Sequence, residues 1–202
     1  MVIHAVMEYS LANGPGRRTV IWFQGCELHC AGCWNPSTHS RDSGRVTTTA
    51  GEVSAQILTA RAHYRVEGVT LSGGEPIHQI EAIAELLILL KQAAPDLSAG
   101  LFSGYTEREL EGGQFETYAE FDPGHRRALW GKIRGLLDFA VLGRFNQYQP
   151  SFSPMATSRN QQLRLFSGRY SDRDFDEQLA EVTISSEGLT QITGFPRLGA
   201  LH

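Results

Sequence analysis

The chain has 202 residues, of which 41% are hydrophobic and 20% charged, with a formal net charge of −4. That is ordinary globular usage at single-domain length, enough to bury a substantial core. Scattered basic residues in a net acidic chain give no electrostatic reason to expect nucleic acid binding, and the longest apolar run, Leu86-Leu87-Ile88-Leu89-Leu90, is far too short to span a bilayer.

In chain order, Thr19-Val20-Ile21-Trp22-Phe23 is a β-rich run that leads into a loop holding all three cysteines, Cys26, Cys30 and Cys33, followed by Trp34-Asn35-Pro36. Strand ends of this kind are where α/β folds place ligands. Three thiolates on one short loop suit three corners of a cubane iron-sulfur cluster and leave one iron open to a small molecule. A Cys3His zinc site completed by His29 or His39, and inert thiols, stay open on spacing alone. A disulfide is not expected, because the count is odd and no apolar leader precedes the loop. The seven histidines show no ligand spacing of their own.

After the polar stretch Ser37 to Gly44, Thr47 to Thr49 cap a helix with apolar positions Val53, Ile57 and Ala60. Gly68-Val69-Thr70-Leu71 reads as a strand leading into Ser72-Gly73-Gly74-Glu75-Pro76. Its adjacent glycines permit close backbone approach, and Glu75 offers a carboxylate to an ammonium group. Ile80, Ile83, Ala84, Leu87 and Leu90 then recur at helical spacing until Pro95, a core-facing stripe.

A third strand is predicted at Ala99 to Ser103, followed by Gly104-Tyr105 and a short helix from Glu107. Glu111 to Gly124 lacks periodicity and reads as an exposed excursion. Arg126 to Leu137 reads as helix, and Phe139-Ala140-Val141-Leu142 as a strand ending in Gly143-Arg144. Tyr148 to Pro154 reads as a loop. Val182-Thr183-Ile184 and Leu189-Thr190-Gln191-Ile192, flanking Ser185-Ser186-Glu187-Gly188, give an antiparallel hairpin signal. Alternating strands and helices predict an α/β fold with mostly parallel strands and right-handed crossovers.

The cysteine loop with the Gly-Gly-Glu segment about forty residues downstream resembles the radical S-adenosylmethionine superfamily. Asn13-Gly14-Pro15-Gly16-Arg17, Phe23-Gln24-Gly25-Cys26, Ser103-Gly104-Tyr105-Thr106, Gly143-Arg144-Phe145 and Ser158-Arg159-Asn160-Gln161 follow the order seen in its glycyl-radical-enzyme activases, the branch serving anaerobic ribonucleoside-triphosphate reductase. Two departures stand out: Trp34 replaces a usual tyrosine, and the chain continues past the Ser-x-Asn-Gln segment where short activators end.

The resemblance implies an open, partial (β/α) barrel over residues 1–165, carrying the cluster, with 166–202 as an extension holding the hairpin and packed on the same domain. It implies a 4Fe-4S cluster on Cys26, Cys30 and Cys33, with S-adenosyl-L-methionine as second cofactor. Gly73, Gly74 and Glu75 would hold the methionyl end of that cofactor. Gly32 and Trp34 would lie on its adenine side, Ser103, Gly104 and Tyr105 near its ribose, and Arg144 at its carboxylate or ribose. Asn160 and Gln161 would meet cofactor or partner. The implied activity is reductive cleavage to methionine and a 5′-deoxyadenosyl radical that removes hydrogen from a glycine of a partner enzyme. A flavodoxin-like donor, no nucleic acid or membrane partner, and a cytoplasmic location complete the expectation. A radical enzyme acting on a peptide or small metabolite and a zinc-bound interaction module are the alternatives.

Overall fold

The fold is organised on Arg18–Phe23, a strand whose six residues are all buried. A computed structural model describes residues 1–42, 45–151, 153, 155–176, 180–184, 188 and 190–195. The strands are β1 (Val2–Ser10), β2 (Arg18–Phe23), β3 (Val46–Thr47), β4 (Gly68–Gly73), β5 (Ser98–Ser103), β6 (Phe139–Leu142), β7 (Gln162–Leu165), β8 (Ala180–Ile184) and β9 (Thr190–Gly194). The helices are α1 (Ala50–Tyr64), α2 (Ile80–Ala93), α3 (Glu107–Gly112) and α4 (Pro123–Arg134).

A seven-stranded sheet runs in the order β3-β1-β2-β4-β5-β6-β7. Its centre, β2, β4, β5 and β6, is parallel, while β1, β3 and β7 join antiparallel at the flanks. The chain is thus mixed α/β around a parallel centre. Near-continuous apolar runs such as Val20 to Phe23 fit strands covered on both faces.

Alternation along the strands separates two apolar clusters. Ile21, Phe23, Val69, Leu71, Leu101, Ala140 and Leu142 pack with α1, α2 and α4 in the larger one. On the opposite face Phe139 and Val141 join Met155 and Phe175, with Phe102, Leu165, Tyr170 and Phe195 against them. Residues after 165 therefore supply much of the cover on that second face.

Local chemistry sets the helix ends. Thr49 caps α1 in a reciprocal capping box with Glu52, as Thr106 caps α3 with Glu109. Asp122 caps α4 and Pro123 takes its first position, so α4 begins three residues before the Arg126 expected from periodicity and ends ahead of Gly135.

Arg18 is fully buried on the second face. Its Nε donates to Thr70 Oγ1 at 2.7 Å, Nη1 to Pro15 O at 3.0 Å and Ser98 Oγ at 2.8 Å, and Nη2 to Val69 O at 2.7 Å. The guanidinium carbon lies 5.0 Å from the centre of the Phe139 ring. Burial pushes its pKa down from the usual arginine value. These uncharged acceptors satisfy a charge that would otherwise be costly to bury.

Two expectations need correction. The segment from Glu111 to Gly124 is an exposed excursion only in part: Glu111, Gln114, Glu116, Ala119, Glu120 and Asp122 are exposed, but Phe115 is buried, Tyr118 N donates to His78 O at 2.8 Å, and Glu116 N donates to Tyr105 Oη at 3.0 Å. Its apolar residues lack a helical or strand period because irregular chain wraps the Tyr105 and His78 rings. The sequence alone also predicts no strand at β1, β3 or β7. β1 has exposed and half-buried positions rather than strict alternation, and β7 is an antiparallel edge strand of only four residues.

In the tail, β8 pairs antiparallel with β9 in a separate two-stranded sheet, with Val182 opposite Ile192. Residues 185–187 of the expected turn, Leu189 of the expected second strand, Phe152 and Pro154 of the expected loop, and residues 43 and 44 of the polar stretch lie outside the described residues. Glu181 accepts from Ser10 Oγ at 2.5 Å and Leu11 N at 2.8 Å, and Asn13 Nδ2 donates to Thr193 Oγ1 at 3.0 Å.

Candidate functional site

At the C-terminal ends of β2 and β4, two backbone hydrogen bonds join the cysteine loop to the Gly-Gly-Glu segment, and two more close that loop onto Thr38 and His39. Gly74 N donates to Phe23 O at 2.9 Å, Glu75 N to Gly25 O at 2.9 Å, Gly25 N to Thr38 O at 2.7 Å and Cys26 N to His39 O at 3.0 Å. The glycines are sterically required. A Cβ on Gly74 would meet Gly25 O, and one on Gly73, at φ +105°, would strike Phe23 N and lie 2.7 Å from Trp22 Cα.

Cys26, Cys30 and Cys33 are free and line one cavity of about 470 Å³ together with Trp34, Gly73, Gly74, Glu75, Ser103 and Gly104. That volume falls among small-molecule sites. Burial pushes the Cys26 thiol up to about 12, aided by the nearby Glu75 carboxylate, and also raises Cys33. Metal binding deprotonates such thiols. Among the described residues no three His, Cys, Asp or Glu side chains close on the single point that one ion requires. Thiolates of a cubane need not do so, because each binds a separate iron. The donor set fits a 4Fe-4S cluster with one iron left to another ligand.

Glu75 is 1% exposed. Its Oε1 accepts from Ile77 N and Ser103 Oγ, each at 2.9 Å, and Oε2 accepts from Gly104 N at 2.7 Å. Burial pushes the carboxyl up to about 7, against the opposing effect of those donors. A carboxylate offers about four lone-pair sites, so three donors leave room for one more, such as a ligand ammonium.

Ser103 meets Glu75 and also accepts from Tyr105 N at 3.1 Å, so its hydroxyl is committed to positioning the carboxylate. Tyr105 Oη lies 3.1 Å from His78 Nε2, behind the cavity. Trp34 is 42% exposed at the rim, its ring 6.1 Å from that of Phe145. Gly32 and Arg144 do not line the cavity. Gly32 is exposed at φ +71° beside Gln147, and Arg144 Nη1 donates to both carboxylate oxygens of Glu109, at 2.9 and 3.0 Å.

Asn160 and Gln161 hold the turn after β6. Asn160 Nδ2 donates to Arg144 O at 2.6 Å and Gln161 Nε2 to Gly143 O at 3.2 Å, while Gln161 Oε1 accepts from Thr157 N at 2.9 Å. Of the two, Gln161 reaches the cavity.

Sequence reasoning gave no role to several lining groups. Asn13 lay within a quoted motif, but nothing in the motif tells that it lines the cavity. Trp22, Phe102 and Val141 point there by strand alternation, whereas Thr193 and Phe195 reach it only through the tail's return. Phe195 stacks on Phe102 at 5.6 Å. His39, named above as a candidate zinc ligand, also lines the cavity. Its Nε2 is buried and has no hydrogen-bond partner among the described residues.

A family model described as "4Fe-4S single cluster domain" matches residues 12–164. The chain is 35% identical over 118 residues to the anaerobic ribonucleoside-triphosphate reductase-activating protein of Vibrio cholerae, covering 56% of this chain and 75% of that protein. It is 32% identical to the protein of the same name from Escherichia coli K12 over 57% of this chain and 77% of that one. Against the pyruvate formate-lyase-activating enzyme of Clostridium pasteurianum it is 39% identical over 92 residues, which are 45% of this chain and only 38% of that enzyme. Among solved structures, QueE from Escherichia coli aligns with TM-score 0.42 and 21% identity over 52% of this chain and 53% of that one. Since the matched model takes in all three cysteines and the Gly-Gly-Glu segment, the chain belongs to the 4Fe-4S single cluster domain family.

Proposed function

We propose that the chain is a radical S-adenosylmethionine enzyme of the glycyl-radical-enzyme activase type, with anaerobic ribonucleoside-triphosphate reductase as the model partner. The observation that carries this reading is the meeting of three free thiols and a buried carboxylate in one cavity. Bound together, the cluster and S-adenosylmethionine supply one-electron cleavage to methionine and a 5′-deoxyadenosyl radical, which abstracts hydrogen from a glycine Cα of the partner.

The protein's own part is binding, orientation and exclusion of water. Cys26, Cys30 and Cys33 hold the iron, and Glu75, kept in place by Ser103, Ile77 and Gly104, receives the methionyl ammonium. Gly73 and Gly74 let the backbone approach, while Trp34 with Phe145 forms an aromatic rim for the adenine. Gly32 and Arg144 act from beside the cavity, on the cysteine loop and on the turn after β6.

In this reading the sheet is the wall of an open, partial (β/α) barrel. Residues 1–165 form the catalytic core and 166–202 an extension packed on it. A flavodoxin-like protein supplies the electron, and the cytoplasm suits an oxygen-sensitive cluster. No helix among the described residues is long and apolar enough to cross a membrane.

The test is to incubate the anaerobically reconstituted protein with S-adenosylmethionine, reductant and the reductase. A glycine-centred electron paramagnetic resonance doublet should appear and collapse when the Cα hydrogen is deuterium. A second reading, a radical enzyme acting on a peptide or small metabolite, draws on Ile192 to Phe195 of the tail, which line the same cavity. Transfer of deuterium from such a metabolite into 5′-deoxyadenosine, without the doublet, would replace the activase reading.

A further inference from the structure

β9 brings a strand edge, not a strand face, to the cavity. Ile192, Thr193 and Gly194 line it in unbroken succession, although successive residues of a strand point to opposite faces. A cavity under one face would meet only alternate residues. No residue of β8, which pairs along one edge of β9, takes part in the lining. Among the described residues no strand pairs with the remaining edge of β9, and no backbone–backbone hydrogen bond ties it to anything but β8. The other free edges, on β3, β7 and β8, give the cavity no residue.

The edge is held in place. Thr193 Oγ1 accepts from Asn13 Nδ2 at 3.0 Å and Glu181 of β8 accepts from Leu11 N at 2.8 Å, so the hairpin is moored to the turn between β1 and β2. At the end of β9, Gly194 with φ +96° turns the chain so that Phe195 stacks on Phe102, ring centres 5.6 Å apart. Val182 and Ile192, opposite each other and 61% and 62% exposed, set an apolar pair beside the edge.

We propose that β9 is the docking edge for the glycine-bearing segment of the partner enzyme, which adds to it as an extended third strand. This rests on the activase reading given above and states how the substrate of that reading is held. Unpaired main-chain N–H and C=O groups along a strand bind extended peptide through its backbone. The Cα hydrogen of the glycine must reach the cavity, and the residues flanking it must leave along the wall with their own N–H and C=O groups satisfied. A free strand edge meets that need, whereas a small metabolite lacks the repeating amides to use it. A side chain of the added strand lies beside Ile192, which favours an apolar residue at that position.

The test uses the reconstituted protein with S-adenosylmethionine, reductant and a synthetic peptide spanning the reductase's glycine, set to compete with the whole reductase for glycyl-radical formation. Each peptide amide is N-methylated in turn. Strand addition turns alternate amides toward β9, so methylation at every second position should weaken competition about threefold to tenfold, the size of one backbone hydrogen bond, and leave the positions between unchanged. Hydrogen exchange should slow in Thr190–Gly194 when the unmodified peptide is added and stay unchanged in Gln162–Leu165, a free edge that does not line the cavity. Losses at every position, at none or at consecutive positions overturn the inference, as does unchanged exchange in β9. Deuterium passing from the peptide's glycine into 5′-deoxyadenosine in those cases leaves the activase reading standing. A peptide that neither competes nor yields deuterium rejects the docking edge; if the whole reductase also gives no doublet, the activase reading falls with it.

Discussion

Ser103 Oγ donates to Glu75 Oε1 at 2.9 Å across the ends of β5 and β4, so the hydroxyl of one strand aims the carboxylate of the next. Ser103→Ala removes a donor to the charged form and pushes the Glu75 carboxyl further up. S-adenosylmethionine affinity at pH 7 should fall severalfold, and the midpoint of its pH dependence should move upward. Equilibrium binding across a pH series checks both.

Glu75→Gln keeps the side chain's shape and loses the charge. The cluster should form normally, while cofactor affinity falls about tenfold to a hundredfold, the size of a charge-assisted hydrogen bond. Iron content and the yield of 5′-deoxyadenosine under strong reductant separate the two effects.

Glu75 also sets a pH dependence with a definite sign. With its carboxyl near 7 in the folded cofactor-free protein, the ammonium-binding form is depleted as pH falls through about 7, so cofactor binding should weaken there. Stability runs the other way. An unfolded chain ionises this group from near its ordinary value of 4.5, whereas the folded protein resists until about 7. Its contribution is therefore present below about 4.5 and lost as pH rises to about 7. Glu75→Gln should remove that loss, seen as a flatter profile of melting temperature against pH.

Each of Cys26→Ala, Cys30→Ala and Cys33→Ala leaves two thiolates for the cluster. Iron should drop from about four per chain to well below that in every case. Iron and sulfide analysis with absorption spectra checks it; stoichiometric zinc in the wild-type protein purified without oxygen would refute the assignment.

Gly73→Ala places a methyl at φ +105° against Phe23 N and Trp22 Cα. The backbone must shift, so the variant should lose roughly 1–3 kcal/mol, measurable by denaturant unfolding, and bind the cofactor more weakly.

The parts legible in the sequence were those governed by local rules. β2, β4, β5 and β6 centre on short apolar or β-rich runs, α2 has a clean helical stripe, and the threonines up to Thr49 mark the start of α1. The cysteines and the Gly-Gly-Glu segment carried the site because their chemistry lies within short stretches. What escaped depends on contacts distant in sequence: Thr193 beside Asn13, Phe195 on Phe102, and Tyr118 packed behind Gly25. Nor does spacing reveal that Ser103 answers to Glu75, or that Arg144 is taken by Glu109. Those commitments arise only when strand ends from separate crossovers come together.

Part of the cavity lining comes from β9, whose strand partner is β8 rather than the main sheet, and which lies beyond residue 164, where the family match stops. Substitutions in β9 can therefore reshape what the cavity accepts without disturbing the register of the strands that lead to Cys26, Glu75 and Ser103. Such a division lets the chemistry stay fixed while the choice of reactant drifts, and it makes the outer hairpin the place to graft when the aim is to redirect the enzyme rather than to repair it.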